Sequence, residues 1–183
     1  MPAPSNRLPR KALALLVAFI ASPSLQGATP PYTAGEVRAA IVRNGARAVV
    51  MRLQRDGLWV PSVVEPIAKG EAEWIALAAD LSAGTDAGTS EDLVISLASA
   101  LPKNPTAVLR ALDRNSGLLT TDSVCSLPFI EPDAAFLAAY WSRTAAALRS
   151  AGTDTTPAVR DACLARLTSS WQAVRKAQAS PMP

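Results

Sequence analysis

Asp80 and Glu91 occupy the first and last places of a twelve-residue window, and Asp86 falls at the seventh. That interval separates the outer ligands of an EF-hand calcium loop, which rings a hard cation with carboxylate and carbonyl oxygens and turns on a glycine at the sixth place. Here the sixth place is Thr85, and the third and fifth are Ser82 and Gly84. Ligand charge is too low and the turn residue is wrong, so no metal and no cofactor is expected. The surrounding stretch, "GTDAGTSEDLVISLASALPKNP" (84–105), also lacks the Gly-x-x-x-x-Gly-Lys-Ser/Thr spacing of a phosphate cradle.

The chain contains no histidine. This removes the commonest general base, the Ser-His and Cys-His nucleophile pairs and the usual ligand of catalytic zinc. Two cysteines cannot build a four-thiolate zinc site. Ser99 and Lys103 are close in sequence, but they miss the Ser-x-x-Lys spacing and Pro102 interrupts the helix between them. Glu71, Glu73, Asp80, Asp86 and Asp92 could supply paired carboxylates. Acidic groups at helix starts and on exposed faces are more often solvated than catalytic. Arg47, Arg52, Arg55, Arg110 and Arg114 could stabilise a developing negative charge. Solvated helix faces account for the same arginines more simply.

The elements that must carry these side chains read as helices. Beyond residue 32, alanine and leucine dominate, β-branched alternation is absent, and prolines and glycines fall at intervals suited to short helices. Thr33 and Glu36 have the spacing of a capping box. Val37, Ile41, Val49 and Leu53 keep a helical rhythm through Gly45, compatible with one long helix or with two broken at Asn44-Gly45. Pro61 and Pro66 leave room for only a short helix. Trp74, Ala78 and Leu81 share one face of the next, with Gly84 as its stop.

Thr89 or Ser90 is expected to cap the following helix, placing Glu91 and Asp92 in the first turn, where the helix dipole favours negative charge. Val94, Leu97 and Leu101 form its apolar stripe, and Pro102 ends it. Asn104 and Pro105 open another helix, with Val108, Leu109 and Leu112 inward. Pro132 and Asp133 start a helix expected to bury Phe136, Leu137, Tyr140, Trp141 and Leu148. Thr156-Pro157 starts the last, with Val159, Cys163, Leu167, Trp171 and Val174 on one face.

The expected fold is all-α: a single helical domain of short α-hairpins followed by a longer helical pair. A faint echo between "AVVMRLQRDG" (48–57) and "AVLRALDRN" (107–115) also allows a solenoid-like stack, although one echo is not a period.

The first residues, "MPAPSNRLPRKALALLVAFIASPSLQGA", have a basic front (Arg7, Arg10, Lys11), an apolar run from Ala12 to Ala21, and small residues around Pro23. This is the layout of a secretory signal peptide, expected over residues 1–28 with cleavage between 24 and 28, leaving 29–183 as the helical domain. The apolar run is too short to span a bilayer, which takes roughly twenty residues. Without the three basic residues of that leader the remaining chain has fifteen of each sign, a formal charge of zero. Nucleic acid is therefore not an expected partner, because phosphate neutralisation needs a basic excess or stripe. No Lys or Arg run suggests an anionic membrane surface, and no membrane anchor is expected after cleavage.

In an exported chain, Cys125 and Cys163 pair by default as a disulfide, with two buried thiols as the alternative. The expectation is a periplasmic or secreted, non-catalytic interaction module (an inhibitor, immunity-type protein, adaptor or subunit) whose partner is another protein. A small exported enzyme using arginine and carboxylate groups is the alternative. Trp59, beside Pro61, and the Asp86–Thr89 loop are the expected contacts, since irregular surfaces and aromatic anchors carry recognition more often than packed helical faces. The competing reading has Trp59 folding back onto the core and the glycine loop merely turning the chain.

Overall fold

The computed structural model describes residues 32–113, 117–152 and 157–179. The expected leader over 1–28 and its cleavage point lie outside them, as do Thr156 and Arg114. Among the described residues the fold is all-α, with nine α-helices, one π-helical turn and no strand.

Helices α1 (Ala34–Asn44) and α2 (Ala46–Arg55) are separate elements, because Gly45 takes φ 80°, a conformation open chiefly to glycine. The capping box opens α1 as expected. The Glu36 amide donates to Thr33 Oγ1 at 3.2 Å, and the Thr33 amide donates to Glu36 Oε2 at 2.7 Å. The proline-bearing segment is helical throughout: a π-helical turn (Val60–Val64) runs straight into α3 (Glu65–Lys69). Pro61 and Pro66 are each the second residue of their element, and the chain stays helical through both.

Next come α4 (Ala72–Ser82), α5 (Ala87–Ala100) and α6 (Pro105–Asp113). Asn104 caps α6 by accepting from the Ala107 amide at 3.2 Å, and its own Nδ2 donates to the Gly70 carbonyl at 2.9 Å, tying α6 to the end of α3. The core lies where α3 packs on α5 and α4 packs on α6 and α1. Ile67, Ile75, Leu77, Leu93 and Leu97 are fully buried there.

Gly84 stops α4 in an unexpected way. Its φ is not positive; instead a Cβ at this position would collide with the backbone of Ala46 and Arg47. Glycine is required because the α4–α5 turn lies directly against the start of α2.

After the short α7 (Thr121–Val124), α8 (Ala134–Ser150) and α9 (Pro157–Ala179) form the longer helical pair. Asp133 caps α8, accepting from the Phe136 amide at 2.6 Å. Cys125 and Cys163 are joined in a disulfide with Cα atoms 5.4 Å apart, fixing the end of α7 to α9.

Three local expectations are corrected. The cap of α5 is Asp86, not Thr89 or Ser90: the Thr89 amide donates to Asp86 Oδ1 at 3.0 Å and the Asp86 amide donates to Thr89 Oγ1 at 3.0 Å. Glu91 and Asp92 consequently fall beyond the first turn. Phe136, expected in the core, is 40% exposed, and the core position is its neighbour Leu137. On α9 only Cys163 and Leu167 are buried. Val159, Trp171 and Val174 are half-buried along the same face, with Trp171 stacked on Trp141 at 5.8 Å between ring centroids.

Candidate interaction surface

Trp59 does not offer a contact. It is 4% exposed, and its indole Nε1–H donates to Asp92 Oδ2 on α5 at 2.9 Å. An indole brings a large apolar area and one donor, and both are satisfied inward here. The exposure on which its partner role rested is absent. Asp86 and Thr89 bond to each other: Thr89 is buried, and its hydroxyl donates to Asp86 Oδ1 at 2.7 Å. These bonds, first that from the Thr89 amide, hold the Asp86 carboxyl below its ordinary pKa, with a smaller contribution from Arg47. Glu36 is lowered in the same way by its bonds from Thr33.

The other pairings considered from sequence have structural partners of their own. Ser99 Oγ donates to the Ile95 carbonyl at 2.8 Å, while Lys103 Nζ donates to the Ala68 carbonyl. Among the described residues, no group of three carboxylate or thiol side chains is placed to hold a metal ion. Arg47, Arg52, Arg55 and Arg110 are exposed. Arg52 shares with Arg43 and Glu36 a cleft of about 230 Å³ between α1 and α2. The Glu36 carboxylate there is already engaged as the α1 cap.

A different segment presents itself to solvent. Between α7 and α8 the chain runs through "CSLPFIEPD" (125–133), where Leu127 has φ 64° and Glu131 φ 45°. Left-handed backbone at a non-glycine residue costs roughly 1–2 kcal/mol and persists only where the surroundings impose it. Between these two residues the segment is anchored by aromatic contacts. Phe129 packs edge-on against Phe136 (5.0 Å, 87°) and against Tyr140 (4.7 Å, 76°). Tyr140 is in turn fixed by its hydroxyl, which donates to the Ala98 carbonyl of α5 at 2.8 Å. Burial pushes the Tyr140 phenol well above its ordinary pKa, so it stays a protonated hydrogen-bond donor.

This arrangement leaves Ile130 68% exposed beside the partly exposed Phe136. Two clefts flank the pair of phenylalanines. One of about 340 Å³ is lined by Ser99, Pro102, Lys103, Tyr140 and Arg143 together with Phe129 and Phe136. The other, about 470 Å³, has the same two rings with Ile95, Ile130, Glu131, Pro132 and Asp133. Val42 and Met51 are exposed as well, on α1 and α2. Each is a single apolar side chain with arginine four residues away (Arg38; Arg47 and Arg55), an ordinary feature of helix surfaces. The 125–136 region is different because exposed apolar groups, concave walls and left-handed backbone at Leu127 and Glu131 coincide.

The connection "DSVCSLPFIEP" (122–132) is not among the contacts expected from the sequence. The available signal was Phe129 and Ile130 standing together between Pro128 and Pro132, where neither helical burial nor turn formation calls for two large apolar residues. Compared with known proteins, the chain matches no family model, no curated protein and no solved structure.

Proposed function

We propose that this chain is an exported, non-catalytic helical module that binds another protein through the segment from Leu127 to Phe136. The single observation behind this reading is the pairing of exposed Ile130 and Phe136 with an aromatic-walled cleft, on backbone held in left-handed conformations at Leu127 and Glu131. Exposed apolar side chains on a pre-organised segment lose little conformational entropy on association, which favours recognition. The Cys125–Cys163 bridge fits an oxidising compartment, in keeping with the leader-like first 28 residues and a periplasmic or secreted location. Among the described residues no helix is long and apolar enough to cross a membrane. Inhibitor, immunity-type, adaptor and subunit roles share this chemistry.

The test is affinity capture from periplasmic or extracellular extract with the wild type beside an Ile130→Asp/Phe136→Asp variant. Ile130 is 68% and Phe136 40% exposed, so the variant is expected to keep its helical circular-dichroism signal while losing the captured partner; if the signal falls, the single Ile130→Asp change carries the same test. Equal capture by both proteins overturns the assignment of this surface. Turnover of a small molecule by the purified chain overturns the non-catalytic reading.

A further inference from the structure

The two clefts around Phe129 and Phe136 differ in charge. The cleft that reaches Tyr140 carries Lys103 and Arg143 and no carboxylate; the cleft that reaches Ile130 carries Glu131 and Asp133 and no cation. The helical register shows how they are laid out. Phe136, Tyr140 and Arg143 stand at i, i+4 and i+7 on one stripe of α8, and Asp133 caps the helix at the N-terminal end of that stripe. At 1.5 Å per residue the stripe runs roughly 15 Å from its acidic to its basic end. Phe136 and Tyr140 lie between the ends, with Phe129 packed against both.

From this layout we infer that the groove is polar along its length and takes an extended segment of a partner protein with a carboxylate at one end, large apolar side chains in the middle and a cation at the other. The inference rests on the interaction reading above and specifies the chemistry of the partner. An extended chain advances about 3.3 Å per residue, so a span of roughly 15 Å corresponds to about five residues. The partner's acidic end lies over Lys103 and Arg143, and its basic end over Glu131 and Asp133. Lys103 keeps donor capacity beyond its bond to the Ala68 carbonyl, since an ammonium carries three N–H groups. Asp133 accepts the Phe136 amide through Oδ1, and a carboxylate has a second oxygen to offer. A uniformly acidic or uniformly basic segment would meet like charge at one end, so the groove selects by repulsion as well as by attraction.

Three fluorescein-labelled hexapeptides test this by anisotropy against the full folded chain, all with a leucine–phenylalanine centre. One has two glutamates before the centre and two lysines after it; the controls carry four glutamates or four lysines. The mixed peptide is expected to bind about tenfold more tightly than either control, with the margin shrinking at high salt. In a Lys103→Glu/Arg143→Glu variant, where both ends are acidic, the four-lysine peptide should become the preferred one. A general apolar patch would not show that reversal. Equal binding of all three peptides, no binding of any, or an unchanged ranking in the variant overturns the inference. If partner capture still depends on Ile130 and Phe136 in those cases, the interaction reading stands and only the polarity of the groove falls. Should the charge-reversed variant lose its helical signal, the single Arg143→Glu change, on an exposed side chain, leaves that end neutral and should erase the mixed peptide's margin over the four-lysine peptide; an unchanged margin overturns the inference.

Discussion

In α5, seven of fourteen residues are buried; in α9, which is nine residues longer, only Cys163 and Leu167 are. α5 lies among α3, α4, α6 and α7, and its inward side chains, such as Leu93, Leu97 and Ala98, are fully enclosed. α9 touches α6, α7 and α8 from one side and is bound to the end of α7 by the disulfide. Burial of apolar surface, at roughly 25 cal/mol per Å², is enough to hold the first region. The second buries fewer side chains on its longest helix and is also closed by a covalent bond. Recognition is proposed on the second, where Ile130 and Phe136 have not been drawn into a core.

The sharpest way to break this contrast is to remove the bond. A Cys125→Ser/Cys163→Ser variant should lose about 4 kcal/mol in urea unfolding, the loop-closure value for a 38-residue separation. Hydrogen exchange should then rise first in α8 and α9 and remain slow in α3 to α5. Uniform loss of protection would mean that the two regions unfold as one and share a single source of stability.

A smaller effect is expected from the packed side. Leu93→Ala leaves a cavity in a fully enclosed site and should cost about 3 kcal/mol. Its effect should be the same with the disulfide intact or reduced, because the two sites contribute through different physics. Strong non-additivity in that double comparison would erase the distinction.

The smallest expected effect concerns the caps. Asp86 and Glu36 have lowered pKa values in the folded state, so each adds stability that is fully present above the ordinary carboxylate range and is lost as pH falls through the lowered value. Asp86→Asn keeps a cap oxygen but has no charge. The variant should melt about 2 °C below the wild type at neutral pH, and the gap should close as the wild type is titrated below about pH 4. A gap that stays constant to low pH would show that the carboxylate charge contributes nothing at this cap.

Local signals were legible where the chain alone decides the outcome. The Thr33–Glu36 box, the Asn104-Pro105 start and the Pro102 stop involve groups within a few residues of each other, and the structure has all three. The cysteine pair was legible because the chain has only two. Choices that depend on distant groups were not. Asp86, Thr89 and Ser90 all have N-cap chemistry, and the choice follows from Thr89 being buried, a tertiary fact. The inward turn of Trp59 depends on Asp92, 33 residues further along. Phe136 and Leu137 are adjacent, so a rotation of about 100° along the helix decides which is exposed. The 125–133 segment was hidden for another reason: its left-handed residues are Leu127 and Glu131, and neither advertises that conformation as glycine would.

The disulfide has one further consequence, which concerns topology. Everything between Cys125 and Cys163, including Phe129, Ile130, Phe136 and Arg143, lies within a covalent ring. A protease that severs one peptide bond inside this ring produces two chain ends but a single molecule, because the disulfide still joins the two sides of the cut. The fragments part only when the bridge is reduced. The stretch that bears the exposed Ile130 and Phe136 is thus one that a first cut cannot release.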